Sequence, residues 1–124
     1  MFSSTQSLEE GDIVIVDPSS FNKVIKSNKP YQTAIGVVSP NATMVIGDWK
    51  GGFSGDKIAM FGRVIVKVTN ETGFINAGDL LTASSTEGHA MKCNSRADCH
   101  YEVLGVAMEN QESPNDKILM VIKR

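Results

Sequence analysis

The stretch Arg63-Val64-Ile65-Val66-Lys67-Val68 decides the fold. Side chains on a strand alternate between two faces, so Val64, Val66 and Val68 share one face and Arg63, Ile65 and Lys67 the other. That is a half-buried strand with one wet face. The segment Lys117-Ile118-Leu119-Met120-Val121-Ile122 lacks this alternation. It is read as a strand covered on both sides, ending in water at Lys123 and Arg124.

Outward from these two stretches, clusters of Gly, Asn, Asp, Ser and Pro separate short runs rich in Val and Ile. The expected strands are Asp12–Asp17, Val24–Ser27, Thr33–Ser39, Thr43–Gly47, Ile58–Thr69, Asp79–Ala83, Ala90–Cys93, Glu102–Glu109 and Lys117–Lys123. No window has the apolar spacing of an amphipathic helix. Ser7 ahead of Glu9 and Glu10 could cap one turn, but residues 1–10 hold few apolar side chains and are expected to be a loose lead-in. Residues 11–124 then form a single all-β domain, a compact barrel or sandwich of about nine short strands.

Two words recur. Glu10-Gly11-Asp12-Ile13-Val14 is echoed by Ala77-Gly78-Asp79-Leu80-Leu81, and Ala34-Ile35-Gly36-Val37-Val38 by Val103-Leu104-Gly105-Val106-Ala107. A Gly-Asp pair makes a turn, because Gly takes positive φ freely and Asp bonds nearby backbone. A Gly inside a strand marks a bulge or a close backbone approach. Gly11, Asp12, Gly36, Gly78, Asp79 and Gly105 therefore outline two related β units.

The chain has 124 residues, 41% of them apolar and 21% charged, with a formal net charge of −2. This size buries enough surface to fold without a metal or disulfide staple. The charge excludes a strongly basic nucleic-acid binder, so no nucleic-acid partner is expected. No apolar run approaches the length of a membrane-spanning helix, and no membrane partner is expected. Met1-Phe2-Ser3-Ser4-Thr5-Gln6-Ser7 lacks the basic region of a secretory signal.

Chemistry-bearing motifs are sparse. His89, Cys93, Cys99 and His100 fall within twelve residues, but their spacing is not that of a structural zinc knuckle, and no metal or cofactor is expected. The alternative is a hairpin of Ala90–Cys93 with His100–Glu109. Cys93 and Cys99 would meet at its mouth as a disulfide or a pair of buried thiols. Neither His has the setting of a general base. Ser84 and Ser85 lack a nucleophile elbow, and Thr82, Ser84, Ser85 and Thr86 read as a turn. The loop Gly51-Gly52-Phe53-Ser54-Gly55-Asp56-Lys57 lacks the Gly-Lys-Ser/Thr ending of a phosphate loop. No catalytic residue is assigned. Trp49 and Phe53, beside and within that loop, are candidates for an interface or ligand contact.

Three stretches carry a resemblance: Ile35-Gly36-Val37-Val38-Ser39-Pro40-Asn41; Phe61-Gly62-Arg63-Val64-Ile65-Val66-Lys67-Val68; and Gly78 through Lys92. Together they resemble the C-terminal β domain of phage tail-appendage and bacterial surface-fibre proteins, some of whose members are similar to the autoproteolytic chaperone-like domain of tail spikes. The resemblance implies a structural assembly module that helps a fibre oligomerise, with a homotrimer favoured. It implies a virion or cell-surface location within a larger fibre, and a cytoplasmic one otherwise. The alternative reading is a free-standing ligand-binding β domain. A self-cleaving peptidase is a third. Self-cleavage is not expected, because only the polar stretch Met1–Glu10 stands upstream to be held against catalytic groups.

Overall fold

The computed structural model describes residues 3–4, 8–19, 23–40 and 57–123. The expected strand Thr43–Gly47 lies outside them. The described residues form ten strands: β1 Ser3–Ser4, β2 Ile13–Val16, β3 Lys23–Lys26, β4 Gly36–Val38, β5 Ile58–Ala59, β6 Gly62–Thr69, β7 Leu80–Ala83, β8 Ala90–Cys93, β9 Gly105–Ala107 and β10 Asn115–Ile122. The protein is all-β, as its sequence punctuation requires. The expected long strand Ile58–Thr69 is broken at Met60 and Phe61, just before Gly62, whose φ is +91°. Near the N-terminus, β1 pairs in parallel with β3, and Glu9 binds Lys67.

The strands build two units. An open sheet has the order β1-β3-β2-β4-β5, and a closed barrel has the order β10-β6-β8-β7-β9. Taken from β6, the barrel runs 6-8-7-9-10, the same path as 1-3-2-4-5. The two related units expected from the repeated words are therefore one topology used twice. The hydrogen bonds repeat as well. Gly11 N–H donates to Val38 O at 2.9 Å, and Gly78 N–H to Ala107 O at 2.8 Å. Ile35 N–H donates to Val14 O at 2.9 Å, and Leu104 N–H to Leu81 O at 2.8 Å. Each Gly-Asp turn is closed by its own carboxylate, Asp12 Oδ2 accepting from Glu9 N–H and Asp79 Oδ2 from Asn76 N–H, both at 2.8 Å. Gly11 and Gly78 take φ of +93° and +96°, a region that side chains with a Cβ rarely adopt.

The two mid-strand glycines share one role. A Cβ on Gly36 would collide with the Ala59 carbonyl oxygen, and one on Gly105 with that of Val121. Each lets its strand approach the neighbouring one, β5 or β10, without obstruction.

One core joins the units. Ile13, Ala34, Val37 and Ala59 of the open sheet pack with Val64, Val66, Val68, Leu81, Ile118 and Met120 of the barrel. The other face of the open sheet holds a smaller cluster of Val14, Val24, Val38 and Ile58, covered by Leu8, Ile35 and Met60.

Strand β6 keeps the predicted alternation: Val64, Val66 and Val68 point inward and Ile65 outward. Strand β10 departs from expectation. It was read as covered on both sides, yet Ile118, Met120 and Ile122 are buried while Leu119 and Val121 are half-buried. The barrel wall is one strand thick, so alternate residues must leave the core whatever their polarity. Their apolar character reflects the outer surface, described below.

Candidate functional site

Three features stand out on this scaffold: a loop depression beside the cysteines, an apolar outer face on the barrel, and a buried ion pair between the two units.

The cysteines do not sit on the expected hairpin. Strands β8 and β9 are not neighbours, because β7 lies between them and pairs with both. Residues 95–102 instead coil into successive tight turns. Cys99 N–H donates to Ser95 O, His100 N–H to Ala97 O, Tyr101 N–H to Arg96 O and Glu102 N–H to Cys99 O, all at 2.8–3.0 Å. The disulfide Cys93–Cys99 fastens this coil to the end of β8, with the Cα atoms 5.5 Å apart. Cys99 is fully buried.

Three non-glycine residues have left-handed backbone among the described residues: Tyr31 (φ 64°), His100 (φ 54°) and Tyr101 (φ 62°). Two of them meet. The rings of Tyr31 and His100 lie 4.3 Å apart between centroids, tilted by 50°. Tyr31 is held by its N–H to Ala83 O at 3.1 Å. The Gln32 side chain closes its turn, accepting from Asn28 N–H at 2.7 Å and donating to Asn28 Oδ1 at 2.9 Å. The two rings form part of the wall of an open depression of about 480 Å³, completed by Thr72, Lys92, Asn94 and Asp98. Thr72 Oγ1 donates to the Lys92 carbonyl at 2.7 Å, joining two of its walls.

On the barrel's outer face, Leu119 stands opposite Ile65, and Val106 stands opposite both Val121 and Leu80. All five are half-buried. They form an apolar row across four neighbouring strands.

Lys67 leaves that face toward the open sheet. Its ammonium nitrogen is 2.6 Å from Glu9 Oε1 and 2.9 Å from Asp12 Oδ1. Asp12 is 1% exposed. Burial pulls the Lys67 pKa down, but hydrogen bonds to Glu9 and Asp12, with their charges, outweigh it and hold the pKa above its ordinary value. The Lys67 hydrogen bond and charge hold the fully exposed Glu9 carboxyl below its own. Among the described residues, no group of three or more His, Cys, Asp or Glu comes together to hold a metal ion.

Trp49 and Phe53 lie outside the described residues. The six residues of the repeated words are brought together in pairs as turns and close approaches, and Asp12 adds the ion pair. Sequence reasoning named Cys93, Cys99 and His100, the last only as a zinc ligand or general base that it set aside, but passed over Tyr31. Nothing in Lys29-Pro30-Tyr31-Gln32 marks a tyrosine for left-handed backbone, and the ring pair spans two distant turns.

The fold places the chain in a class before any single relative does: a duplicated all-β domain of one open sheet and one small barrel. It is similar to the crystal structure of a C-terminal fragment of the bacteriophage phi29 gene product 12, with a TM-score of 0.66 and 16% sequence identity. The correspondence covers 98% of this chain and 97% of that one. No protein-family model matches the sequence. No curated protein matches it either.

Proposed function

We propose that this chain is a structural assembly module of the kind that ends phage tail-appendage or surface-fibre proteins, and that it works as a homo-oligomer, with a trimer favoured. The observation that carries the reading is the end-to-end fold correspondence with the phage gene product 12 fragment, where neither chain has a large part unmatched. This agrees with the order of the sequence words that resemble fibre C-terminal domains. The apolar row Ile65, Leu119, Val121, Val106 and Leu80 supports it, since contiguous apolar side chains on an outer face mark interaction surfaces. Closed symmetry is the usual state of soluble homo-oligomers. The location that follows is the virion. The test is the solution mass by light scattering, with Leu119→Glu as the interface variant.

A further inference from the structure

We propose that Cys93 is a thiol-exchange site: a small thiol such as glutathione enters the open depression, attacks the Cys93 sulfur and opens the Cys93–Cys99 bond while the barrel stays folded. The inference goes beyond assembly and does not depend on it.

The two sulfurs differ in access. Cys93 is half-buried and lines the depression of about 480 Å³. Cys99 is fully buried. Access decides which sulfur of a disulfide is attacked, so the incoming thiolate meets Cys93. As the new S–S bond forms, the Cys93–Cys99 bond breaks. Cys99 leaves with the electron pair and takes a proton from water. A second thiol then attacks the reagent's sulfur in the mixed disulfide and frees the Cys93 thiol. The protein disulfide is reduced, and two reagent thiols become one reagent disulfide.

The coil released by this step is a local unit. Of residues 94–101, only Cys99 is buried. The N–H groups of Cys99, His100, Tyr101 and Glu102 donate to carbonyls within the coil itself. The ties that reach outside it are the disulfide and the Tyr31–His100 ring contact. Left-handed backbone at His100 and Tyr101 costs free energy that opening returns. A segment with so few buried contacts opens for far less than the global unfolding free energy.

The other unit shows that the fold needs no covalent bond at this place. The connection from β3 to β4 is the counterpart of the one from β8 to β9. There Gln32 accepts from Asn28 N–H and donates to Asn28 Oδ1, a closure that no thiol can open. One unit thus carries a fixed closure. The other carries one that answers to its surroundings, released where small thiols abound and fastened where they are scarce.

In the experiment, the disulfide-bonded full chain is treated with excess glutathione, quenched at early times with N-ethylmaleimide, and both cysteines are mapped by mass spectrometry. Glutathione is expected on Cys93 and maleimide on Cys99, in about tenfold or greater excess over the reverse arrangement. Gly36→Ala lies in the other unit and lowers global stability, so it is expected to leave the opening rate unchanged. Amide NMR spectra of the reduced chain are expected to keep the barrel's signals and to shift those of Tyr31 and residues 94–102. Glutathione on Cys99, or spread evenly over both cysteines, overturns the proposal. So does a bond that glutathione leaves intact in the folded protein. An opening rate that rises in step with the stability lost in Gly36→Ala also overturns it, since attack would then await global unfolding. The wild-type mapping carries the test should Gly36→Ala fail to fold.

Discussion

The ammonium nitrogen of Lys67, on the barrel, lies 2.9 Å from Oδ1 of Asp12, at the first turn of the open sheet. The Lys67 backbone N–H also donates to Gly11 O at 2.9 Å. Side chain and backbone of one residue thus grip the same Gly-Asp turn, and this contact joins the two units of the fold beside their shared core.

Removing the cation leaves a buried carboxylate without its counter-charge. Lys67→Met is expected to cost about 3–5 kcal/mol, the penalty for breaking a buried pair from one side. The double variant Lys67→Met with Asp12→Ala is expected to be more stable than Lys67→Met alone, because the stranded charge is gone. Urea unfolding of the three proteins measures this. A loss under about 1 kcal/mol for Lys67→Met would place the pair with ordinary surface bridges.

The same cluster sets a pH dependence with two limbs. Lys67 has a folded pKa raised above 10.5, so its stabilisation is present below that value and is lost as pH rises through the folded pKa. Glu9 has a folded pKa below 4.5, so its share is present above that value and is lost as pH falls through the folded pKa. Asp116 adds to the acid limb, its carboxylate being favoured by the backbone N–H groups of Glu112 and Lys117. Thermal unfolding across pH is expected to show both limbs, with Glu9→Gln flattening the acid one. An acid limb unchanged in that variant would remove Glu9 from the account.

The duplicated glycines should answer alike. Gly36→Ala and Gly105→Ala each drive a methyl group into a neighbouring strand's carbonyl oxygen. Each is expected to destabilise by about 1–3 kcal/mol, the usual cost of overpacking. Denaturant midpoints of the two variants check this. Free tolerance of either substitution would break the equivalence of the two units.

The disulfide closes a short loop, with a sequence separation of 6. Chain entropy gives such a crosslink about 2 kcal/mol. Cys99→Ser is expected to lose about that much, and to separate the Tyr31 and His100 ring signals, because the coil carrying His100 is released. Intact mass under non-reducing conditions should be lower by two hydrogens than after reduction. Two free thiols in protein purified without reductant would contradict the pairing.

The strands were legible where local chemistry decides them. Val64, Val66 and Val68 announce their face, and Gly11-Asp12 and Gly78-Asp79 announce their turns. The repeat was visible because each unit needs Gly at the same two places, one for positive φ and one for close approach. What the sequence hid depends on distant partners. The hairpin expected around Cys93 and Cys99 failed because β7, earlier in the chain, pairs with β8 and also receives β9. Leu119 and Val121 look like core in a linear reading, and only closure of the barrel places them outside. The Tyr31–His100 contact left no trace, since long-range ring packing has no period.

The most direct test of the assembly account is the solution mass of the purified chain at low micromolar concentration, by light scattering after size exclusion. The account predicts a single symmetric species, favoured at three times the 13.4 kDa chain mass, which Leu119→Glu dissociates. A monodisperse 13.4 kDa monomer would contradict it.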